Sequence, residues 1–554
     1  MKISLLSNVN VETIAKKLQD NEEDQIYHPS GYGLWLQELL NMDSKLYEFS
    51  PESIFIILDG EELIKDVPNL ELKDIEAKFE EYYNYLHNIA VKNKDKFFII
   101  SNIDLPEVRL QPLKEARKEK KVEYLWYEKL IELNQLENIY IFDLKKIIEE
   151  IGRINFYSSK LWYLGGIKFS VKAENYIIQE INRFKKAIKG KKKKCIVLDL
   201  DNTLWGGVVG EEGIENIELS ESKEGARYKD FQKKLKDMKE MGILLAIVSK
   251  NNEEDALEVF SKHPHMVLKE DDFVIKKINW NLKAENLKEI SEDLNIGLDS
   301  LVFIDDNPIE RESVKQALPE IIVPDFPGDT SNLKKFAETL YYDYFTVLKL
   351  TKEDKEKTMM YKQNAERSKT KKTSASFEEF LKNLEIKIYI WKAQEEDIAR
   401  IAQLTQKTNQ FNLTTKRYTE KDIRNFIESN NYEVYVASVK DKFGDNGKVS
   451  VLIVKKEGET AEIDTFLMSC RVMGNFIEDQ IITFVEESLL KDQVRKINAS
   501  YIKTKKNEPV KDLFERLGYN LIKNEGQNKY YQLDLSNLEK VKSKRKYFGE
   551  LISQ

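Results

Sequence analysis

Short apolar runs at 3–9, 54–58, 97–100 and 139–142 alternate with longer stretches of helical spacing, among them 72–92 and 123–136. Runs of that length are strands, and their alternation with amphipathic helices predicts a parallel α/β layer fold over about residues 1–165. Residues 168–188 keep a helical apolar period and stop at Gly190 before a run of lysines, 191–194. Gly190 is a helix stop, the lysines are a solvated linker, and together they place a helical linker at 166–192. The alternation then resumes, with strands at 195–200, 243–249 and 301–305 and helices at 228–241 and 284–294. This second unit, 193–328, reads as another doubly wound sheet. Residues 329–383 are Lys-rich, glycine-poor and helical (336–342, 352–368), which predicts a connector. From 384 to 540 two helical stretches, 397–409 and 420–429, lead into alternating strands at 432–439, 449–455 and 461–467, then a further helix and strand. The pattern predicts an α+β domain with a tail at 541–554. No internal repeat or low-complexity tract interrupts this order.

Composition narrows the classes without choosing among them. The chain has 554 residues, too many for one hydrophobic core. It is 41% hydrophobic and 33% charged, a globular balance. A formal charge of −8, with both signs interleaved, gives no electrostatic reason to expect nucleic acid or an anionic membrane as partner. The start, MKISLL, lacks the apolar run and cleavage site of a signal peptide, and no segment approaches the ~18 apolar residues of a membrane span. A cytoplasmic location is the expectation. The two cysteines, Cys195 and Cys470, stand far apart and outside metal-ligand spacing. The four histidines all precede residue 266, so the last half of the chain has no histidine base of its own.

The candidate chemistry sits at strand ends. VLDLDNTL at 197–204 closes a strand with Asp199 and Asp201, two carboxylates one residue apart that emerge on one side of the backbone. The carboxyl edge of a parallel sheet is where ligands bind. One carboxylate can attack a phosphoryl group and the other can pass protons, protonating the leaving group and later activating water. Asp199 is assigned the first role and Asp201 the second. Taken alone, the motif also describes an ordinary surface turn; its companions argue against that. The next strand ends in VSKNN (248–252), which offers the Ser249 hydroxyl. The third ends in VFIDDN (302–307), where Asp305 and Asp306 supply oxygen ligands for a hard cation. Lys283, 22 residues before Asp305 and at a helix start, can neutralise phosphoryl charge, with Lys276 or Lys277 as fallback.

This ordered set resembles the four motifs of the haloacid-dehalogenase (HAD) superfamily, and Trp205-Gly206-Gly207 resembles its IIIC branch. The resemblance implies Mg²⁺ bound by Asp199, Asp305, Asp306 and the backbone carbonyl of Asp201, and phosphate held by Thr203, Ser249 and Lys283. Between the motifs, 206–226 has room for a flap but not for a cap domain. LDSL at 298–301 looks like a carrier-protein attachment sequence, yet a strand follows it, so Ser300 is a turn residue.

The flanks carry weaker resemblances. LLSN at 5–8 resembles the start of a degenerate SGNH-hydrolase-like domain, but 156–168 holds no histidine, which leaves Ser7 a structural role. The run 463–478, IDTFLMSCRVMGNFIE, resembles the strand, turn and helix of a GNAT acyltransferase, with a helix N-terminus suited to an anion. Cys470 beside Arg471 is a candidate acyl acceptor, with Arg471, Gly474 and Asn507 as candidate acyl or pantetheine ligands. With FNLTT (411–415), DKFGDNG (441–447) and SCRVMG (469–474) behind the HAD motifs, nearly the whole chain resembles the FkbH-like family. That resemblance implies a bifunctional enzyme. It would load a glyceryl unit from 1,3-bisphosphoglycerate onto the phosphopantetheine thiol of a discrete acyl carrier protein, with dephosphorylation, in polyketide-type biosynthesis. Two alternatives stand beside it: a Mg²⁺-dependent phosphatase for a sugar or lipid-linked metabolite, and a non-catalytic scaffold that docks carrier proteins.

Overall fold

A computed structural model of the chain describes residues 1–19, 24–31, 33–67, 71–106, 114, 117–190, 192–350, 358–363, 366–367, 370, 376–469 and 472–553. It divides into two compact units, Met1–Lys185 and Lys186–Gln554. The division falls inside the helix Val171–Ile188 that the sequence assigns to a linker.

The first unit is a parallel sheet in the order Gln25–Tyr27, Lys2–Ser7, Ser53–Ile57, Phe97–Ser101, Ile139–Phe142. Four of these strands are the ones read from the sequence. Ser53–Ile57 is buried along its whole length, which explains why it reads as an unbroken apolar run. Ser7 is buried, donates to the Ile57 carbonyl at 2.5 Å and accepts from the Val9 amide at 3.2 Å. Its hydroxyl is a strand clip, in keeping with a structural role.

In the second unit a four-stranded parallel sheet runs Phe273–Ile278, Leu244–Ser249, Cys195–Leu198, Leu301–Ile304. The register pairs Leu198 with Ile247 on one side and Ile304 on the other. The residues that follow on three neighbouring strands therefore arrive side by side. Three of these strands are the ones expected; the fourth, Phe273–Ile278, is an edge strand whose Lys276 and Lys277 break the apolar run as edge strands do. The segment expected as a flap folds down, with Gly206 bridging Glu218 and Val209, Ile217 and Leu219 buried in the core. The expected connector is corrected in part. Leu333–Leu340 packs Leu333, Ala337 and Leu340 into this same core, so it belongs to the domain. Of the helix expected over 352–368, residues 358–363 are helical and the remainder falls largely outside the described residues.

The last sheet is ordered Asn520–Glu525, Asn528–Asp534, Lys496–Tyr501, Thr460–Met468, Gly444–Glu457, Tyr432–Asp441, Lys387–Lys392, Glu550–Ser553. It matches the expected α+β class. Val434 and Val436 face the helices Ile398–Lys407 and Glu420–Glu428, while Tyr435 and Ala437 face Ile477–Lys491, the period-two alternation of a sheet covered on both sides. The tail expected at 541–554 is corrected: Glu550–Ser553 extends the sheet in parallel with Lys387–Lys392. Arg545, fully buried, donates to Glu486 at 2.6 and 2.9 Å and to the Leu517 carbonyl at 2.8 Å. No helix among the described residues is long and apolar enough to cross a membrane.

Within this sheet Thr460–Met468 and Lys496–Tyr501 are parallel neighbours only over 460–462 and 496–498, and then diverge. The opening is filled by the chain itself. Phe411 and Asn412 pair antiparallel with Met468 and Leu467, and the Ile502 amide donates to the Leu413 carbonyl at 2.8 Å.

Candidate active site

Three loops leave the carboxyl edge of the four-stranded sheet, one from each of its adjacent strands. Asp199 follows Cys195–Leu198, and its amide donates to the Ile304 carbonyl at 3.0 Å, continuing the ladder. Ser249 ends Leu244–Ser249, and Asp305 and Asp306 follow Leu301–Ile304. Lys283 comes from the fourth strand's loop as the first residue of the helix Lys283–Asp293. Its Nζ lies 2.6 Å from Asp305 Oδ2 and 3.1 Å from Asp199 Oδ1. The fallback lysines turn elsewhere, Lys276 to Glu270 and Lys277 to Glu289 at 2.6 Å.

Carboxylate oxygens of Asp199, Asp305 and Asp306 all lie within 4.8 Å of one another. Among the described residues three acids face one lysine, which leaves excess negative charge at a buried site, and the electrostatics reflect it. Burial, opposed by Lys283 and reinforced by Asp305, holds Asp199 well above the ordinary carboxylate range, while the Ser249 hydroxyl partly offsets this. Burial and Asp305 likewise raise Asp306. Burial would lower Lys283, but Asp199 and Asp305 outweigh it and keep the ammonium charged. An all-oxygen donor set with uncompensated charge fits a hard dication such as Mg²⁺.

The remaining carboxylate is held apart. Asp201 Oδ1 accepts from Trp205 Nε1 at 2.9 Å and from the Val209 amide at 3.2 Å, and Oδ2 accepts from Asn251 Nδ2 at 2.9 Å. Three N–H donors thus fix the Asp201 side chain, and the ligand expected from this residue for a metal is its backbone carbonyl. Thr203 is fully buried and braces two loops: its Oγ1 accepts from the Asp306 amide at 3.2 Å and lies 3.4 Å from Asp306 Oδ1. The structure thus places Thr203, expected among the phosphate donors, against Asp306 of the carboxylate cluster, where its hydroxyl is engaged. Arg311, unmarked in the sequence, donates to the carbonyls of Asp305 and Asp306 at 2.8 and 2.6 Å and fixes the third loop.

Of the C-terminal candidates, Cys470 and Arg471 lie outside the described residues. Gly474 sits at φ +85° with open space where a side chain would be. Asn507 is corrected. It is fully buried, its Oδ1 accepts from the Thr504 amide at 2.8 Å, and its Nδ2 donates to the carbonyls of Asn412 and Ile502 at 3.0 and 2.9 Å. Its amide is used up locking the 411–413 segment into the sheet, which leaves nothing for a pantetheine arm. Cys195 is buried beneath the site in an apolar strand, and burial pushes its thiol up, so it is not a nucleophile.

A doubly wound parallel α/β domain with acids and a lysine gathered at its carboxyl edge, followed by a mixed α+β domain, is the class that the sheet orders and the strand-end residues define. Among solved structures, the N-terminal part of the protein BF1531 from Bacteroides fragilis, containing a phosphatase domain and complexed with Mg, is 28% identical with a TM-score of 0.57; the match covers 63% of this chain and 95% of that one. A domain from Methanocaldococcus jannaschii is 16% identical with a TM-score of 0.23, covering 27% of this chain and 99% of that one. A spermidine N-acetyltransferase SpeG mutant from Vibrio cholerae is 14% identical with a TM-score of 0.22, covering 27% and 95%. No family model matches the chain, and no curated protein is similar to it.

Proposed function

We propose that this chain is a Mg²⁺-dependent phosphatase that works through an aspartyl-phosphate on Asp199. The observation that carries the reading is the convergence of Asp199, Ser249, Lys283, Asp305 and Asp306 at one sheet edge, with Lys283 bridging two of the acids. The similarity to a Mg-complexed phosphatase-containing structure supports it. Asp199, Asp305 and Asp306 would hold Mg²⁺, which when bound supplies positive charge to the phosphoryl oxygens. Lys283 and the Ser249 hydroxyl orient the phosphoryl group. Asp199 attacks phosphorus, the bond to the leaving oxygen breaks, and that oxygen takes its proton from Asp201. Asp201 then removes a proton from water, the water oxygen attacks phosphorus, and the Asp199 carboxylate leaves, with inorganic phosphate as product.

The finer reading joins this chemistry to acyl loading, namely transfer of a glyceryl unit from 1,3-bisphosphoglycerate to the thiol of a discrete acyl carrier protein. The order of domains and the position of Cys470 after an acyltransferase-like strand support it. An acyl phosphate is already activated, so a thiolate could take the 3-phosphoglyceryl group with loss of the acyl phosphate, and hydrolysis of the remaining phosphate ester at the Asp199 site would leave the glyceryl thioester. The test is intact-protein mass spectrometry with 1,3-bisphosphoglycerate, Mg²⁺ and a carrier protein. A glyceryl adduct on the carrier that disappears in Cys470→Ser supports the loading half. Mg²⁺-dependent phosphate release without any adduct leaves a plain phosphatase.

A further inference from the structure

We infer that Asn251, with Trp205, is the positioning device that turns one particular oxygen of Asp201 toward the reacting group; the inference rests on the phosphatase reading above. A carboxylate that first gives and then takes a proton must hold a defined face toward the leaving oxygen, because proton transfer is effective only within hydrogen-bond reach. Asp201 has no freedom to choose that face. Its Oδ1 is saturated by two donors, Trp205 Nε1 at 2.9 Å and the Val209 amide at 3.2 Å. Its Oδ2 receives a single donor, Asn251 Nδ2 at 2.9 Å, and so keeps a lone pair for the travelling proton.

The orientation of the Asn251 amide is itself determined. Its Oδ1 accepts from the Asn252 amide at 2.9 Å, at the start of the helix Glu253–Lys262, so the NH₂ end must face Asp201. Asn251 is buried, two residues past Ser249, and Trp205 is fully enclosed with its ring against Phe260. All three groups are N–H donors. None can take the proton from Asp201, so it passes only between Oδ2 and the substrate oxygen or water. In the first step the P–O bond to the leaving group breaks with its electron pair on that oxygen, and the proton on Oδ2 follows. In the second, Oδ2 accepts a proton from the attacking water as the P–O bond to Asp199 breaks.

Leaving-group dependence separates this role from a merely structural one. An alkoxide needs its proton during bond cleavage, whereas p-nitrophenolate leaves without one. Asn251→Ala is expected to lower kcat/KM about 100-fold on an alkyl phosphate and under about tenfold on p-nitrophenyl phosphate, with Asn251→Gln restoring part of the alkyl rate. Trp205→Phe, which removes only the Nε1 donor from a ring of similar shape, should show the same selectivity in milder form. It serves as the test if Asn251→Ala fails to fold by circular dichroism. Equal losses on the two esters in a folded variant overturn the positioning role while Mg²⁺-dependent, Asp199-dependent hydrolysis by the native chain keeps the phosphatase reading. If the native chain hydrolyses neither ester, the phosphatase reading fails and takes this inference with it.

Discussion

Lys283 is the residue on which the geometry of the site turns, because among the described residues it is the ammonium that reaches into the three converging acids. Lys283→Met should lower kcat/KM for phosphate release by about a hundredfold or more, through loss of charge opposite the phosphoryl group. It should also destabilise the metal-free protein by about 3–5 kcal/mol, since Asp199 and Asp305 are left buried without their counter-charge. Saturating Mg²⁺ should recover part of that loss in a thermal melt. Asp199→Asn should abolish phosphate release while leaving the circular dichroism spectrum unchanged. Chelation of the native chain should lower its melting temperature, and Mg²⁺ at about a hundred times Kd should return roughly 2.7 kcal/mol. In the first unit, Asp59 is raised to about 6 by burial, against the pull of Lys168 and its helix-cap bond to the Glu62 amide. A carboxyl whose folded value lies above its unfolded one binds protons more tightly in the native state. Its contribution is therefore fully present below pH ~4 and lost as pH rises through 6. Asp59→Asn, which keeps the cap, should flatten the urea midpoint between those limits.

At the scale of elements, legibility followed how local each interaction is. Asp199, Ser249, Asp305 and Lys283 could be read because each ends or follows a strongly apolar strand, and adjacent parallel strands bring such ends together. The edge strand Phe273–Ile278 escaped because Lys276 and Lys277 interrupt its pattern. Thr203 and Asn251 could be seen as polar residues near the motifs, but their partners, Asp306 and Asp201, are 103 and 50 positions away along the chain. No local pattern encodes such pairs. The tail is illegible for the same reason: Glu550–Ser553 is a strand only because Lys387–Lys392 presents an edge to it. Arg545→Ala should cost about 3–5 kcal/mol, since Glu486 would keep a buried charge without its guanidinium. The unfolding midpoint of the C-terminal sheet, followed by hydrogen exchange of 496–501 and 528–534, measures it.

For the whole molecule, the division at residue 185 puts every proposed phosphatase residue in the second unit. The third domain adds a different constraint. Where its strands diverge, the chain has laid residues 411–413 between them and bolted them down through Asn507. A tethered segment of this kind competes at an effective concentration of about millimolar. Any extended chain seeking the same backbone edge would first have to displace a segment already tied beside it.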